Sequence, residues 1–155
     1  MGDINDKKLL CTLIEKCDWI INFAAESHVD RSISDPKPFI DSNIYGAYTI
    51  LEAVRKHRKR LIQISTDEVF GNLRSSSATE KYPYNPSSPY AASKASGDLI
   101  VLAYWKTFNY KVNITRGANT YGPRQFPEKL IPLALKKLKN GEKVPIYGNG
   151  LQIRE

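Results

Sequence analysis

The chain has 155 residues, 41% hydrophobic and 25% charged, which suits one globular domain and excludes disordered and fibrous classes. Its longest apolar runs, residues 19–25 and 99–105, fall well short of the ~20 residues that cross a bilayer, and no basic stretch with an apolar core opens the sequence, so neither a membrane partner nor a secretory leader is expected and a cytoplasmic location fits. The net charge of +7 gives no nucleic-acid surface, because Arg55 to Arg60 and Lys136 to Lys143 fall near expected helix ends, where basic side chains meet the dipole; a basic balance also suits a ligand carrying a diphosphate.

Residues 6–17 read as an amphipathic helix, with Leu9, Leu10, Leu13 and Ile14 at helical spacing. Cys11 and Cys17 point to different faces of it and form no metal or redox motif, so both read as reduced thiols. Trp19-Ile20-Ile21-Asn22-Phe23 reads as a buried strand. After the start signal Ser34-Asp35-Pro36, one helical pattern runs to about residue 59, and residues 61–64 form the next strand. A Ser/Pro-rich loop over 72–89 leads to a helix over 90–108 and a strand over 111–115. Residues 128–140 predict a helix interrupted near Pro132, and Val144 to Tyr147 a short strand that Pro145 confines to an edge. His28 and His57 have no paired ligand or nucleophile in the pattern, and His57 reads as surface.

Strands alternating with helices predict an α/β fold, a Rossmann-like doubly wound parallel sheet with right-handed crossovers. Ligands of such sheets bind beyond the carboxyl ends of the strands, which picks out residues 24–27, 65–68 and 116–122. Tyr90 and Lys94 stand one helical turn apart on one face, where a cation beside a phenol favours phenolate and makes a base. Taken alone, an ordinary surface helix explains that pair better; its place just after Ser87-Ser88-Pro89, in a sheet-end site, changes the weighting. Ser65-Thr66-Asp67-Glu68 sets two carboxylates at a strand mouth, a pair able to act as acid and base if their surroundings differ, or simply to cap the loop.

Together with these, Asn22 to Ser32, Ser65 to Gly71, Ser88 to Lys94, Tyr121-Gly122-Pro123 and Gln125 to Pro132 resemble the successive motifs of the dTDP-glucose 4,6-dehydratases, extended short-chain dehydrogenases/reductases. The resemblance implies a lyase of deoxysugar biosynthesis that turns dTDP-glucose into dTDP-4-keto-6-deoxyglucose with NAD as a recycled hydride carrier. It implies Thr66, Asp67, Glu68, Tyr90 and Lys94 as the catalytic group and no metal. The cofactor would meet Asp3 and Ile4 at its adenine, Phe23, Ala24, Ala25, Glu26 and Ser27 along its length, and Ser42, Ser65, Tyr90, Lys94 and Thr120 elsewhere. Substrate would meet Ser27, Thr66, Asn119, Lys129, Leu130, Pro145, Ile146, Tyr147 and Arg154. Ser42 and Thr120 depart from the family's usual threonine and asparagine.

The family opens with a glycine-rich turn that receives the pyrophosphate, and none of the nine glycines forms such a cluster. The chain therefore reads as a central fragment lacking the first strands and the C-terminal substrate domain. Residues 1–155 are expected to be one partial NAD-binding domain, with the start of a substrate-binding region from about 119, inactive alone and a homodimer at full length. A related UDP-sugar dehydratase or epimerase, or a non-catalytic nucleotide-binding remnant, is the alternative.

Overall fold

The computed structural model describes residues 2–73, 77–146 and 148–151. The chain divides into two compact units, Met1–Gly117 and Ala118–Glu155. In the first, β1 (Trp19–Asn22), β2 (Arg60–Thr66) and β3 (Val112–Gly117) form one parallel sheet in the order β1-β2-β3, the Rossmann-like arrangement expected from the alternation of elements. Ile20 aligns with Leu61 and Leu61 with Val112; Asn22 aligns with Gln63 and Gln63 with Ile114. Because side chains alternate along a strand, this register gathers all six on one face.

That face is covered by α1 (Lys7–Glu15), α4 (Gly46–His57) and α5 (Pro89–Phe108). Ile14 of α1, Ile50, Leu51 and Val54 of α4, and Val101 of α5 bury themselves on Leu61, with Ile20, Val112 and Ile114 packed around them. Asp6 starts α1 by accepting the Leu9 N–H at 2.9 Å, which satisfies one of the donors a helix start leaves over. On the other face β1 is exposed, and this corrects the expectation of a buried first strand: Trp19 is 49% and Ile21 52% exposed. Their positions in the alternation point away from the helices, and the Arg60 guanidinium lies over the Trp19 ring instead, 4.8 Å from its centroid.

The single helix expected up to residue 59 is three joined pieces, α3 (Lys37–Phe39), a π-helical segment (Ile40–Tyr45) and α4. One extra residue per turn in such a segment re-aims its side chains, and here it turns Asn43 inward to 4% exposure. The basic residues Arg55, Lys56 and His57 occupy the last turn of α4, as their charge suggested. A short helix not read from the sequence, α2 (Val29–Ser34), begins at His28, whose ring Nδ1 accepts the Arg31 N–H at 3.4 Å. His57 is likewise not mere surface: it is half-buried, and its Nε2 lies 3.2 Å from Cys11 Sγ.

In the second unit α6 (Leu130–Lys139) runs unbroken. Pro132 falls in its first turn, where the N–H it lacks would have had no helical partner, so the expected interruption does not occur. Val144, Pro145 and Ile146 form no strand, and Tyr147 lies outside the described residues. Among the described residues, no helix is long and apolar enough to cross a membrane.

Candidate active site

At its carboxyl end β2 runs into a 3-10 turn, Asp67–Phe70. Thr66 caps this turn, its Oγ1 accepting the Glu68 N–H at 3.3 Å and donating to Asp67 Oδ1 at 3.1 Å. Val69 and Phe70 are buried and pin the turn down, while Asp67 and Glu68 stay half-exposed at the rim. The chain leaves through Gly71 at φ +69°, where an added Cβ would stand 2.1 Å from the Asn85 carbonyl oxygen. Only glycine fits that crossing.

The helix that meets this rim is α5. Ser88 caps it by accepting the Ala91 N–H at 3.1 Å, with Pro89 in the first turn. The Tyr90 N–H, which has no partner within the helix, donates to the buried Ser32 Oγ at 3.1 Å. The Tyr90 ring is 8% exposed and meets Phe39 edge to face, centroids 6.2 Å apart. Its phenol lies near the Thr66 side chain and close enough to Glu68 and Asp67 to feel both charges. Thr66, Asp67, Glu68 and Tyr90 thus converge at one sheet end.

Burial pushes the Tyr90 phenol above its ordinary value; the nearby Thr66 hydroxyl opposes this, and the carboxylates of Glu68 and Asp67 add to it. The phenolate that spacing to Lys94 suggested is therefore not poised in this structure. Lys94 sits one turn along, 7% exposed, and donates its Nζ to the Ile64 carbonyl of β2 at 2.7 Å. Burial pushes its ammonium below the ordinary lysine value, and Asp98 opposes the shift.

The segment after β1 is shaped by two buried amides. Asn22 donates to Gln63 at 2.9 Å across the strands and accepts the Ala24 N–H at 3.1 Å, which turns the chain out of β1. Asn43 accepts the Glu26 N–H at 2.9 Å and donates to the Glu26 carbonyl at 3.0 Å and to Ser93 Oγ at 2.8 Å. Ser93 Oγ in turn donates to the Tyr90 carbonyl at 2.7 Å, so Asn43 staples residues 24–27 to the helix of Tyr90. Sequence reasoning missed Asn43; its one signal was an amide inside an otherwise apolar helical stripe. Asp3, Ile4, Phe23 and Ala24 share the wall of a cleft of about 570 Å³ beside β1. Phe23 is 73% exposed there, Ala25 and Glu26 are half-buried, Ser27 is exposed, and Ser42 is half-buried on the π-helical segment. Ser65 Oγ is buried without a well-formed hydrogen bond, though it lies near enough to Asp98 to favour that carboxylate.

In the second unit Asn119 and Thr120 are exposed, the Thr120 carbonyl accepting from Gln125 at 3.1 Å. Lys129 precedes α6 and Leu130 opens it, 64% exposed; Pro145 and Ile146 are exposed in irregular chain. Tyr147 and Arg154 lie outside the described residues.

A parallel sheet whose central strand delivers Thr-Asp-Glu to a helix bearing Tyr and Lys one turn apart defines a Rossmann-like protein of the extended short-chain dehydrogenase/reductase type. The chain belongs to the family described as GDP-mannose 4,6 dehydratase, whose profile matches residues 1–155. It is 46% identical over 155 residues to the dTDP-glucose 4,6-dehydratase of Streptomyces antibioticus, covering 99% of this chain and 46% of that protein. It is 47% identical to the low-salt glycan biosynthesis protein Agl12 of Haloferax volcanii, covering 99% of this chain and 50% of that one. Among solved structures, DesIV, a dTDP-glucose 4,6-dehydratase from Streptomyces venezuelae crystallised with NAD, superposes with a TM-score of 0.96 at 48% identity, covering 99% of this chain and 48% of that one. The chain thus spans about half the length of the relatives it matches.

Proposed function

We propose that the whole protein removes water from dTDP-glucose to give dTDP-4-keto-6-deoxyglucose, using NAD that ends the cycle unchanged. The carrying observation is the convergence of Thr66, Asp67, Glu68 and Tyr90 at the end of β2. Sequence likeness to dTDP-glucose 4,6-dehydratases along the whole chain supports the substrate.

The residues fit NAD. Phe23 and Ala24 directly follow β1, where this class of sheet binds nucleotides, and with Asp3 and Ile4 they line one part of a cleft whose remaining wall, along α1 and β1, is apolar; Ala24 and Ala25 are small enough for close backbone approach. Ser65 Oγ is buried beside the Asp98 carboxylate at the same rim, so its part toward the cofactor rests on motif likeness. In this reading Asp3 and Ile4 border the adenine, residues 23–27 and Ser42 run along the cofactor, Lys94 holds the nicotinamide ribose, and Thr120 adds a contact. Roles for Asn119, Lys129, Leu130, Pro145 and Ile146 toward the substrate rest on motif likeness alone.

NAD held by these residues would supply a reversible hydride acceptor, for the hydrogen that leaves C4 and later arrives at C6. Tyr90 takes the proton of the C4 hydroxyl while Thr66 holds the sugar near that carbon. The resulting C4 ketone acidifies the C5 hydrogen, which Glu68 removes as a proton. Asp67 protonates the C6 hydroxyl, which leaves as water and opens a C5–C6 double bond; as C6 takes back the hydride, Glu68 returns a proton to C5, and the proton Tyr90 released to solvent makes good the one Asp67 gave. Because burial favours the protonated phenol, the basic form of Tyr90 depends on a nearby cation, and Lys94 is the one this helix supplies.

A cytoplasmic location goes with this reading, as the seat of nucleotide-sugar chemistry. The exposed apolar side chains Ile40, Tyr45, Leu99 and Trp105 support a homodimer through the helices that carry them.

Incubated with NAD and dTDP-glucose, the whole protein is expected to yield a product lighter by one water, read by mass spectrometry. Asp67→Asn and Glu68→Gln should each lose roughly 100-fold or more in turnover and accumulate the oxidised, still hydrated sugar. Full turnover in either variant overturns the assigned roles.

A further inference from the structure

A polar cluster lies one helical turn beyond Lys94 and has no part in the chemistry above. Tyr90, Lys94 and Asp98 recur at i, i+4 and i+8 on α5, so they share a helix face. Asp98 is 0% exposed, a setting in which a carboxylate persists only when paired. Its Oδ2 accepts Arg116 Nε of β3 at 3.0 Å and the Tyr84 hydroxyl, from the loop before α5, at 3.3 Å. The Arg116 guanidinium is held over the rings of Phe70 and Tyr84, 5.5 Å and 5.0 Å from their centroids, and is hydrogen-bonded to the Tyr84 hydroxyl as well. Four elements of structure therefore fix one carboxylate. Its other oxygen, Oδ1, makes no well-formed hydrogen bond among the described residues.

Lys94 is the neighbour that needs such a charge. Its Nζ donates to the Ile64 carbonyl, and a carbonyl is a dipole, not a counter-ion. An ammonium that is 7% exposed tends to lose its proton unless an anion stands near. The anion supplied is Asp98, the charge that opposes the downward pull of burial on Lys94.

We infer that Asp98 is a positioning residue for the Tyr90–Lys94 pair: a buried carboxylate, locked by Arg116 and Tyr84, that keeps Lys94 a cation and seated on the Ile64 carbonyl. The functional meaning of this inference rests on the dehydratase reading; the electrostatic content does not. Other charged groups on the elements packed against α5 do not duplicate it. Asp67 and Glu68 of the 3-10 turn act on Tyr90, and Arg116 of β3 has the wrong sign. Glu52 of α4 is engaged by Arg55 and Tyr104, and His57 of α4 by Cys11. Lys37 pairs with Asp41 at the surface, and Asp30 and Arg31 of α2 are exposed.

The test is a titration of Lys94 in the whole protein by NMR of carbon-13-labelled lysine side chains, the resonance identified by its loss in Lys94→Arg. Asp98→Asn is expected to lower the Lys94 midpoint by about one pH unit. Asp98→Glu, which keeps the charge, should restore most of it. A midpoint unmoved by Asp98→Asn overturns the inference. Since Asp98→Asn alone strands the largely buried Arg116, the pair Asp98→Asn with Arg116→Met replaces it if the single variant does not fold, read against Arg116→Met alone, so that the loss of the cation cancels and the same fall, or its absence, is ascribed to Asp98. No substrate is needed, so failure here is distinct from failure of the dehydratase assignment. Where turnover is measured, the alkaline limb of the kcat/KM profile should move to lower pH by the same interval in Asp98→Asn. A fall in kcat with that limb unmoved marks a purely structural residue and counts against the positioning role.

Discussion

Ser88 sets where the helix of Tyr90 begins, and it does so with one oxygen. Its side chain accepts the Ala91 N–H at 3.1 Å, and Pro89 next to it has no N–H to leave unsatisfied. Ser88→Ala is expected to cost about 1 kcal/mol, the usual worth of such a cap, and to lower the thermal midpoint by a few degrees. Ser88→Asp should recover most of it, since aspartate caps as well as serine. Equal melting of Ser88→Ala and the parent would show the cap to be idle. At this scale the sequence was most informative where chemistry is written contiguously: Thr66, Asp67 and Glu68 are consecutive, and Tyr90 and Lys94 are one turn apart. It was silent on what sets their protonation. Burial of Tyr90 against Phe39 reverses the direction read from its lysine neighbour, and the carboxylate that serves Lys94 is paired from a strand and a loop far along the chain. A charge's burial has no local signature.

Among the elements, α5 lies so close to the π-helical segment that Gly97 is the residue permitting it. A Cβ there would come within 2.7 Å of the Asn43 carbonyl oxygen. In an exposed helix Gly→Ala gains up to roughly 1 kcal/mol, but here the backbone of the neighbouring segment must give way. Gly97→Ala is therefore expected to destabilise by about 1–3 kcal/mol, the cost of overpacking, with denaturant midpoints as the measure. A stabilised variant would mean the two helices can separate freely. The same contact explains a missed boundary. Residues 36–59 carry one helical period, and nothing in that period marks the π turn that aims Asn43 at Glu26 and Ser93. α2 went unread because its six residues lack an apolar stripe and are held by His28 and Ser32 instead. Val144 to Ile146 show the converse, β-type residues that find no strand to pair with among the described residues.

At the scale of the molecule, strand and helix alternation was enough to read a parallel sheet, because a strand, a crossover helix and a parallel strand admit few other arrangements. Which helices touch one another was not readable, and that contact carries a pH dependence. Glu52 of α4 accepts from Arg55 at 3.0 Å and from the Tyr104 hydroxyl of α5 at 2.8 Å, bridging the two helices. Burial first, and then Glu52, push the Tyr104 phenol from 10.0 up to about 12. A group raised in the folded state lends stability that is whole below its unfolded value, so this part should be intact below pH 10 and fade between pH 10 and about 12. Glu52 is shifted the opposite way, lowered from 4.5 by the Arg55 hydrogen bond first and the Tyr104 bond second. Its part is present above pH 4.5 and is lost as pH falls through the lowered value. The bridge thus favours the neutral range from both sides, and one substitution separates the arms. Tyr104→Phe should flatten the decline in the urea midpoint between pH 10 and 12 while leaving an acid-side decline in place. Glu52→Gln should remove the acid-side loss and soften the alkaline one, because Glu52 supplies part of the lift on Tyr104. An alkaline slope that Tyr104→Phe leaves untouched would assign that decline to other tyrosines and refute the bridge as its source.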